Sequence, residues 1–266
     1  MKVLVANRGE IACRVLRTLR ERSIDSVSIY SEVDAGNQHV WLADESVCIG
    51  EPRAYLDIEK VIEAAKQTSA TAIHPGYGFL AENADFVAAC EAAGIVFIGP
   101  SVEAMHAFAD KRAARVLAMK HDVPVIDGAE VCDSPEVAKE LAEKVGYPVL
   151  LKASAGGGGK GMRKVFGPDE VADAYESASR EGEAAFGDGR LLLEKYIHPA
   201  RHIEIQILGD GKNAMVVGER ECSLQRRYQK VLEEAPATFI SDETRKGLAE
   251  SAIRLAEAVG YSGAGT

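Results

Sequence analysis

Between Lys2 and Ile98, short apolar runs alternate with amphipathic stretches, and this alternation fixes the class of fold. Lys2-Val-Leu-Val-Ala6 is short and apolar on both sides, which suits a strand of a parallel sheet covered on two faces. Glu10 to Arg22 places Ile11, Val15, Leu16 and Leu19 on one face of a helix. The same reading predicts strands at 26–30, 70–74 and 95–98. It predicts helices at 58–68 and 83–93, the second closed by Gly94. Strand and helix in succession imply an α/β unit with a parallel sheet and helices on both sides.

The pattern then changes. Residues 102–121 read as helix. Ser134 caps a helix that starts at Pro135 and runs to Val145. Strand Val149 to Ala153, a glycine loop, strand Met162 to Val165, helix Pro168 to Phe186 and strand Leu191 to Lys195 form a small α+β module. From His202 the pattern is antiparallel: Ile203, Ile205 and Ile207 share one face, and His202, Glu204 and Gln206 the other. Asp210-Gly211 predicts a hairpin turn, with Ala214 to Arg220 returning. A helix is expected over Asp242 to Val259, capped by Ser241 or Asp242. The sheet begun at His202 is expected to be incomplete at Thr266, with an exposed edge.

Composition removes several function classes. The chain has 266 residues, 47% of them hydrophobic and 27% charged, enough apolar material for a real core. A net charge of -10 argues against nucleic-acid or anionic-membrane partners. No apolar run is long enough to span a bilayer, and the first residues read as a strand rather than a leader, so a cytoplasmic protein is expected. The five cysteines, Cys13, Cys48, Cys90, Cys132 and Cys222, are scattered and form no C-x-x-C pair. They suggest reduced thiols rather than disulfides or zinc.

The chemistry concentrates around Lys152-Ala-Ser-Ala-Gly-Gly-Gly-Gly-Lys-Gly161. Consecutive glycines let backbone amides approach phosphate oxygens, and Lys152 and Lys160 add charge. A P-loop would need Ser or Thr after Lys160, followed by a helix; here Gly161 and a β-prone run follow. A dinucleotide fingerprint is missing too, because the first strand–helix turn reads Asn7-Arg-Gly-Glu-Ile-Ala12. A glycine loop between two strands reads instead as a hairpin lid over a polyphosphate. Arg226, Arg227 and Lys230 crowd three cations into a stretch expected to be irregular, which suits an anion.

These blocks resemble biotin carboxylases, ATP-grasp ligases. The glycine loop, Asn7 to Ala12, His74-Pro-Gly-Tyr-Gly-Phe-Leu80 with Glu82-Asn83, and Glu219 to Lys230 followed by Glu233-Glu-Ala-Pro236 occur in the family's order along essentially the whole chain. The resemblance implies a Rossmann-like domain at 1–110, a linker and ATP-grasp lid at 111–196, and the start of a further ATP-grasp subdomain at 197–266. By position, Lys111 and Lys152 would contact ATP phosphates and Gly158 and Gly159 would close over them. Glu194, Lys195, Tyr196 and Ile197 would form the linking strand that holds adenine. His202, Gln225 and Tyr228 would face the nucleotide. Lys230 would bind bicarbonate, and Tyr77 and Gly78 would lie toward biotin.

Tyr228 departs from the histidine that many members carry there, which puts its nucleotide role in doubt. Metal ligands are expected beyond Thr266, so no residue here is assigned to Mg2+ or Mn2+, and the chain by itself is expected to be inactive. The implied reaction carboxylates biotin on its carrier with ATP and bicarbonate. The implied partners are a biotin carboxyl carrier protein or domain and a carboxyltransferase, with homodimerisation at full length. Acyl-CoA or pyruvate systems both fit. Two alternatives stay open: another ATP-grasp ligase, or a non-catalytic nucleotide-binding fragment.

Overall fold

The computed structural model describes residues 1–109, 111–154, 161–226 and 229–266, with the backbone alone at 111, 112, 129 and 186. The chain divides into two compact units. The first comprises Met1–Ala109 with Gly209–Lys212 and Val259–Ala264, and the second holds the remainder.

The first unit is the α/β domain. Its elements are β1 (Lys2–Val5), α1 (Gly9–Glu21), β2 (Asp25–Ser31), α2 (Gln38–Leu42), β3 (Glu45–Gly50), α3 (Ile58–Gln67), β4 (Ala72–His74), α4 (Ala84–Ala92), β5 (Val96–Phe97) and α5 (Val102–Ala109). All sheet pairings are parallel, in the order β3-β2-β1-β4-β5. Alternate residues of each strand bury on opposite faces. Leu4, Val27, Ile29 and Ile73 meet Val61, Ile62 and Phe86 of α3 and α4. Val3 and Val5 meet Val15 and Leu16 of α1. A fully buried side chain such as Phe86 contributes roughly 2–3 kcal/mol.

Strand order reverses between β1 and β4, the crevice where open α/β sheets place ligands. There Asn7 donates to the carbonyls of Pro75 (2.7 Å) and Tyr77 (2.8 Å), tying the two loops together.

The second unit begins with α6 (Lys111–Lys120), followed by β6 (Gly128–Cys132), α7 (Pro135–Val145), β7 (Val149–Ala153), β8 (Arg163–Val165), α8 (Val171–Phe186) and β9 (Leu191–Lys195). Strands β6-β9-β7-β8 form an antiparallel sheet. One face, with Val149, Leu151, Leu191 and Leu193, packs on Ala138 and Ala142 of α7 and on Tyr175 and Ala178 of α8. The Ser134 hydroxyl accepts from Val137 N (3.2 Å), the predicted cap. A second sheet, β12-β11-β10-β13, contains β10 (Ile203–Asp210), β11 (Ala214–Arg226), β12 (Gln229–Glu234) and β13 (Ser262–Gly265), with α9 (Asp242–Ala258) between the last two.

One expectation is corrected. On both sides of residues 227–228 the stretch around Arg226 and Lys230 is strand rather than loop: β11 runs through Arg226 and pairs antiparallel with β12, Arg226 opposite Gln229, with register shifts between Glu221 and Gln225. The helix expected over 102–121 is found as α5 and α6, with residue 110 outside the described residues. The glycine loop over 155–160, with Gly158 and Gly159, lies outside the described residues, as do Arg227 and Tyr228.

Candidate nucleotide site

Strand alternation creates the first half of the site. On β7 and β9, the residues that do not enter the module core are Leu150, Lys152, Leu192 and Glu194. Lys152 lies opposite Leu192 and Leu150 opposite Glu194, so the lysine and the glutamate are diagonal neighbours. They form an ion pair at 2.5 Å, with side chains 23% and 14% exposed. On β7 and β9 the opposite face is filled by Val149, Leu151, Leu191 and Leu193, packed against Tyr175.

The chain then leaves β9 through the linking segment. The ammonium of Lys195 donates to the carbonyls of Gly146 (2.7 Å) and Tyr147 (2.9 Å). It is committed to the end of α7, and the Lys195 backbone N–H donates to Asp127 O (2.9 Å). Tyr196 N donates to Pro148 O (3.0 Å). The Tyr196 ring stacks on His198, with centroids 5.9 Å apart and planes 6° from parallel.

The second half is the polar face of β10. That face is not a solvated stripe. Glu204 accepts from Lys230 and, at 3.1 Å, from Arg220, and His202 Nε2 stands 3.4 Å away. Burial pushes the Glu204 carboxyl up, but the Lys230 hydrogen bond and charge, with Arg220 and His202, outweigh it and hold the pKa below the ordinary value. The Glu204 bond raises the pKa of Lys230 against the smaller effect of burial, so Lys230 stays cationic. Gln225 Nε2 lies 3.0 Å from His202 Nδ1 and donates to Cys222 O at 2.8 Å. Arg220 also donates to Gln206 (3.1 Å). Burial, Glu204 and Glu233 push the Cys222 thiol up, so it is a poor nucleophile there.

Tyr196, Ile197, His202 and Gln225 line one cleft of about 790 Å³. The structure thus gathers four of the expected residues on one wall, with Lys230 linked to them through Glu204. Lys152 and Glu194 stand together on the module sheet. Lys111 begins α6, its side chain outside the description. Tyr77 and Gly78 belong to the first unit. Tyr77 is largely exposed and its hydroxyl bonds Glu10, which raises its pKa. Gly78 has φ +66°.

Arg220 and Glu204 went unassigned in the sequence. The alternation of Ile203 to Ile207 flagged the position of Glu204, but Arg220, between two glutamates, read only as charge. Among the described residues no group of three or more His, Cys, Asp or Glu side chains could hold a metal ion. Glu194, Glu204 and Glu233 instead face lysine or arginine.

Comparison with known proteins agrees along the whole chain. The family model "Biotin carboxylase, N-terminal domain" matches residues 1–105. "Carbamoyl-phosphate synthase L chain, ATP binding domain" matches 110–266. The propionyl-CoA carboxylase alpha chain of Homo sapiens is 51% identical over 270 residues, covering 100% of this chain and 37% of the relative. The methylcrotonoyl-CoA carboxylase subunit alpha of Dictyostelium discoideum is 50% identical, with 100% and 39% covered. The biotin carboxylase–beta-gamma-ATP complex from Campylobacter jejuni superposes with TM-score 0.95 at 49% identity, covering 99% of this chain and 60% of that one. The biotin carboxylase domain dimer of Hydrogenobacter thermophilus 2-oxoglutarate carboxylase, in complex with MgADP, ADP and bicarbonate, gives 0.92 at 45%, with 99% and 59% covered.

Proposed function

The chain belongs to the biotin carboxylase family, and from that premise we propose that it binds ATP in the second unit and serves ATP-dependent carboxylation of biotin by bicarbonate. The observation that carries this reading is the convergence of His202, Gln225, Tyr196 and Ile197 on one cleft, with a cationic Lys230 held behind it by Glu204.

In this reading Lys152 offsets phosphate charge, and Glu194 fixes its ammonium. Lys111, Gly158 and Gly159 complete the phosphate grip. The backbone of Glu194 to Ile197 receives the base. Lys230, kept protonated, holds bicarbonate against the γ-phosphate. A bicarbonate oxygen attacks phosphorus, the bond to the β-phosphate oxygen breaks, and ADP leaves with carboxyphosphate formed. Carboxyphosphate then divides into phosphate and carbon dioxide; the phosphate takes the proton of the biotin ring nitrogen, and that nitrogen bonds the carbon dioxide carbon. Tyr77 and Gly78 lie toward biotin. Shielding from water matters because carboxyphosphate hydrolyses. Magnesium, when bound, would offset phosphate charge; among the described residues no group of three or more His, Cys, Asp or Glu side chains could hold it.

The chain spans 37–39% of the two curated relatives above, so the complete reaction, the carrier and carboxyltransferase partners and a homodimer all belong to this proposal. All five cysteines are unpaired, which supports a reducing compartment such as the cytoplasm; the human relative is a mitochondrial protein by name. No helix among the described residues is long and apolar enough to cross a membrane.

The test is MgATP titration of the protein and of Lys152→Ala. Saturable binding that weakens at least tenfold in the variant supports the reading; equal affinity overturns it. A second reading, a different ATP-grasp ligase, draws on the carbamoyl-phosphate synthase description of the 110–266 match. In the full-length protein, ATP turnover that rises with free biotin decides for the first reading; indifference to biotin decides for the second.

A further inference from the structure

Lys164 has no role in the scheme above. On β8 it lies directly opposite Leu150, and Leu150 pairs on its other side with Glu194. Strand alternation therefore puts Lys164 on the face of Lys152 and Glu194. Its neighbours turn the other way: Val165 is buried in the module core, and Arg163 reaches Ser177 (2.9 Å) and Glu181 (3.0 Å) of α8.

The Lys164 ammonium stands 4.8 Å from the centroid of the Tyr196 ring. A ring face attracts a cation, so this contact holds the charge beside the linking segment, at the end of the site away from Lys152. Lys164 lines the same cleft as Tyr196, Ile197, His202 and Gln225. Arg201 and His198 also line that wall, and no carboxylate does among the described residues. Arg201 is paired with Glu221 at 3.2 Å, so Lys164 supplies the further positive charge of this lining, in a chain of net charge -10. An ammonium has three donors and no acceptor, so it can recognise only acceptor atoms or anions.

We propose that Lys164 is a nucleotide contact at the base end of the cleft, donating to acceptor atoms of the base or its ribose. The assignment rests on the reading that this cleft takes ATP. It predicts an effect on affinity that does not depend on the number of phosphates, unlike that of Lys152.

The experiment titrates ATP, ADP and AMP into the intact protein and into Lys164→Leu, Lys164→Arg and Lys152→Ala. Lys164 is exposed on an edge strand, so the leucine variant keeps the fold, checked by thermal melting. Expected is a Kd raised about threefold to tenfold in Lys164→Leu, by the same factor for all three nucleotides. Lys164→Arg, which still donates and stacks on tyrosine, stays within about twofold. Unchanged affinity in Lys164→Leu, or a loss confined to ATP, overturns the proposal. If Lys152→Ala weakens binding while Lys164→Leu does not, Lys164 loses its role and the ATP reading stands. If the unaltered protein binds no nucleotide, both fall.

Discussion

Lys230 on β12 reaches across the intervening strand β11 to bond Glu204 on β10. Strands are about 4.8 Å apart, so the contact spans two spacings and needs the full length of the lysine stem. Arg220, on the strand between, bonds the same carboxylate at 3.1 Å. Glu204 thus organises cations from two strands on the face that borders the cleft.

This arrangement makes acid stability depend on Glu204. Its pKa in the folded protein lies below the ordinary value of 4.5. The stabilisation is therefore complete above about 4.5 and is lost as pH falls through the lower folded value. In urea unfolding followed from pH 6 to pH 3 (~ values that bracket a carboxylate), Glu204→Gln is expected to lose less stability across the acid limb than the unaltered protein. Parallel curves would show that the network adds nothing. Lys230 acts at the other end: its raised pKa gives stabilisation that is present below 10.5 and lost as pH rises through the folded value.

Removing Lys152 leaves Glu194, only 14% exposed, without its partner at 2.5 Å. Lys152→Ala is expected to cost roughly 1–3 kcal/mol of stability in addition to nucleotide affinity. Lys152→Met with Glu194→Leu removes both charges and is expected to regain most of the stability but none of the affinity. Chemical denaturation and nucleotide titration of the same samples separate the two effects.

Gly76 and Gly9 make a controlled pair. Both have positive φ, +66° and +65°. A Cβ at Gly76 would stand 2.7 Å from Asn7 Nδ2, whereas one at Gly9 would meet nothing within 4 Å. Gly9→Ala is expected to cost about 1–2 kcal/mol from backbone conformation. Gly76→Ala is expected to cost more, because Asn7 must give up its bonds to Pro75 and Tyr77. Equal losses in denaturant unfolding would mean that Asn7 does not tie the β1 and β4 loops.

Asp34 is buried and accepts from Arg8, Ser31 (2.8 Å), Asn37 (2.6 Å) and Tyr55 (3.0 Å). Burial, together with the Asp34 bond and charge, pushes the Tyr55 hydroxyl up to about 12. Asp34→Ala strands these donors and is expected to destabilise the protein by about 3 kcal/mol. Tyr55→Phe removes one donor and should cost less. A thermal melt of Asp34→Ala within a degree or two (~) of the unaltered protein would contradict this.

Local signals made much of the fold legible. The helix Pro135–Val145 and strands Val149–Ala153 and Leu191–Lys195 match the sequence reading residue for residue, because a serine cap, a proline start and unbroken apolar runs mark them. β3 was missed. It is an edge strand, mostly exposed, and carries no alternation that stands out. The sequence does not mark β12 for a related reason: all six of its residues are exposed, and Lys230, following Arg226 and Arg227, reads as part of a basic loop.

The amino-acid sequence by itself determined the α/β and antiparallel halves, the position of the glycine hairpin and the residues that place the chain in its family. Those depend on periodicity and local chemistry, which a linear chain carries. Only the tertiary structure decided that Glu204 is a hub and not a solvated side chain, that the Lys195 ammonium serves α7, and that Lys164 faces the cleft. Each depends on register and on partners 14 to 49 residues away in the chain, and no local pattern specifies which distant cation a carboxylate will meet.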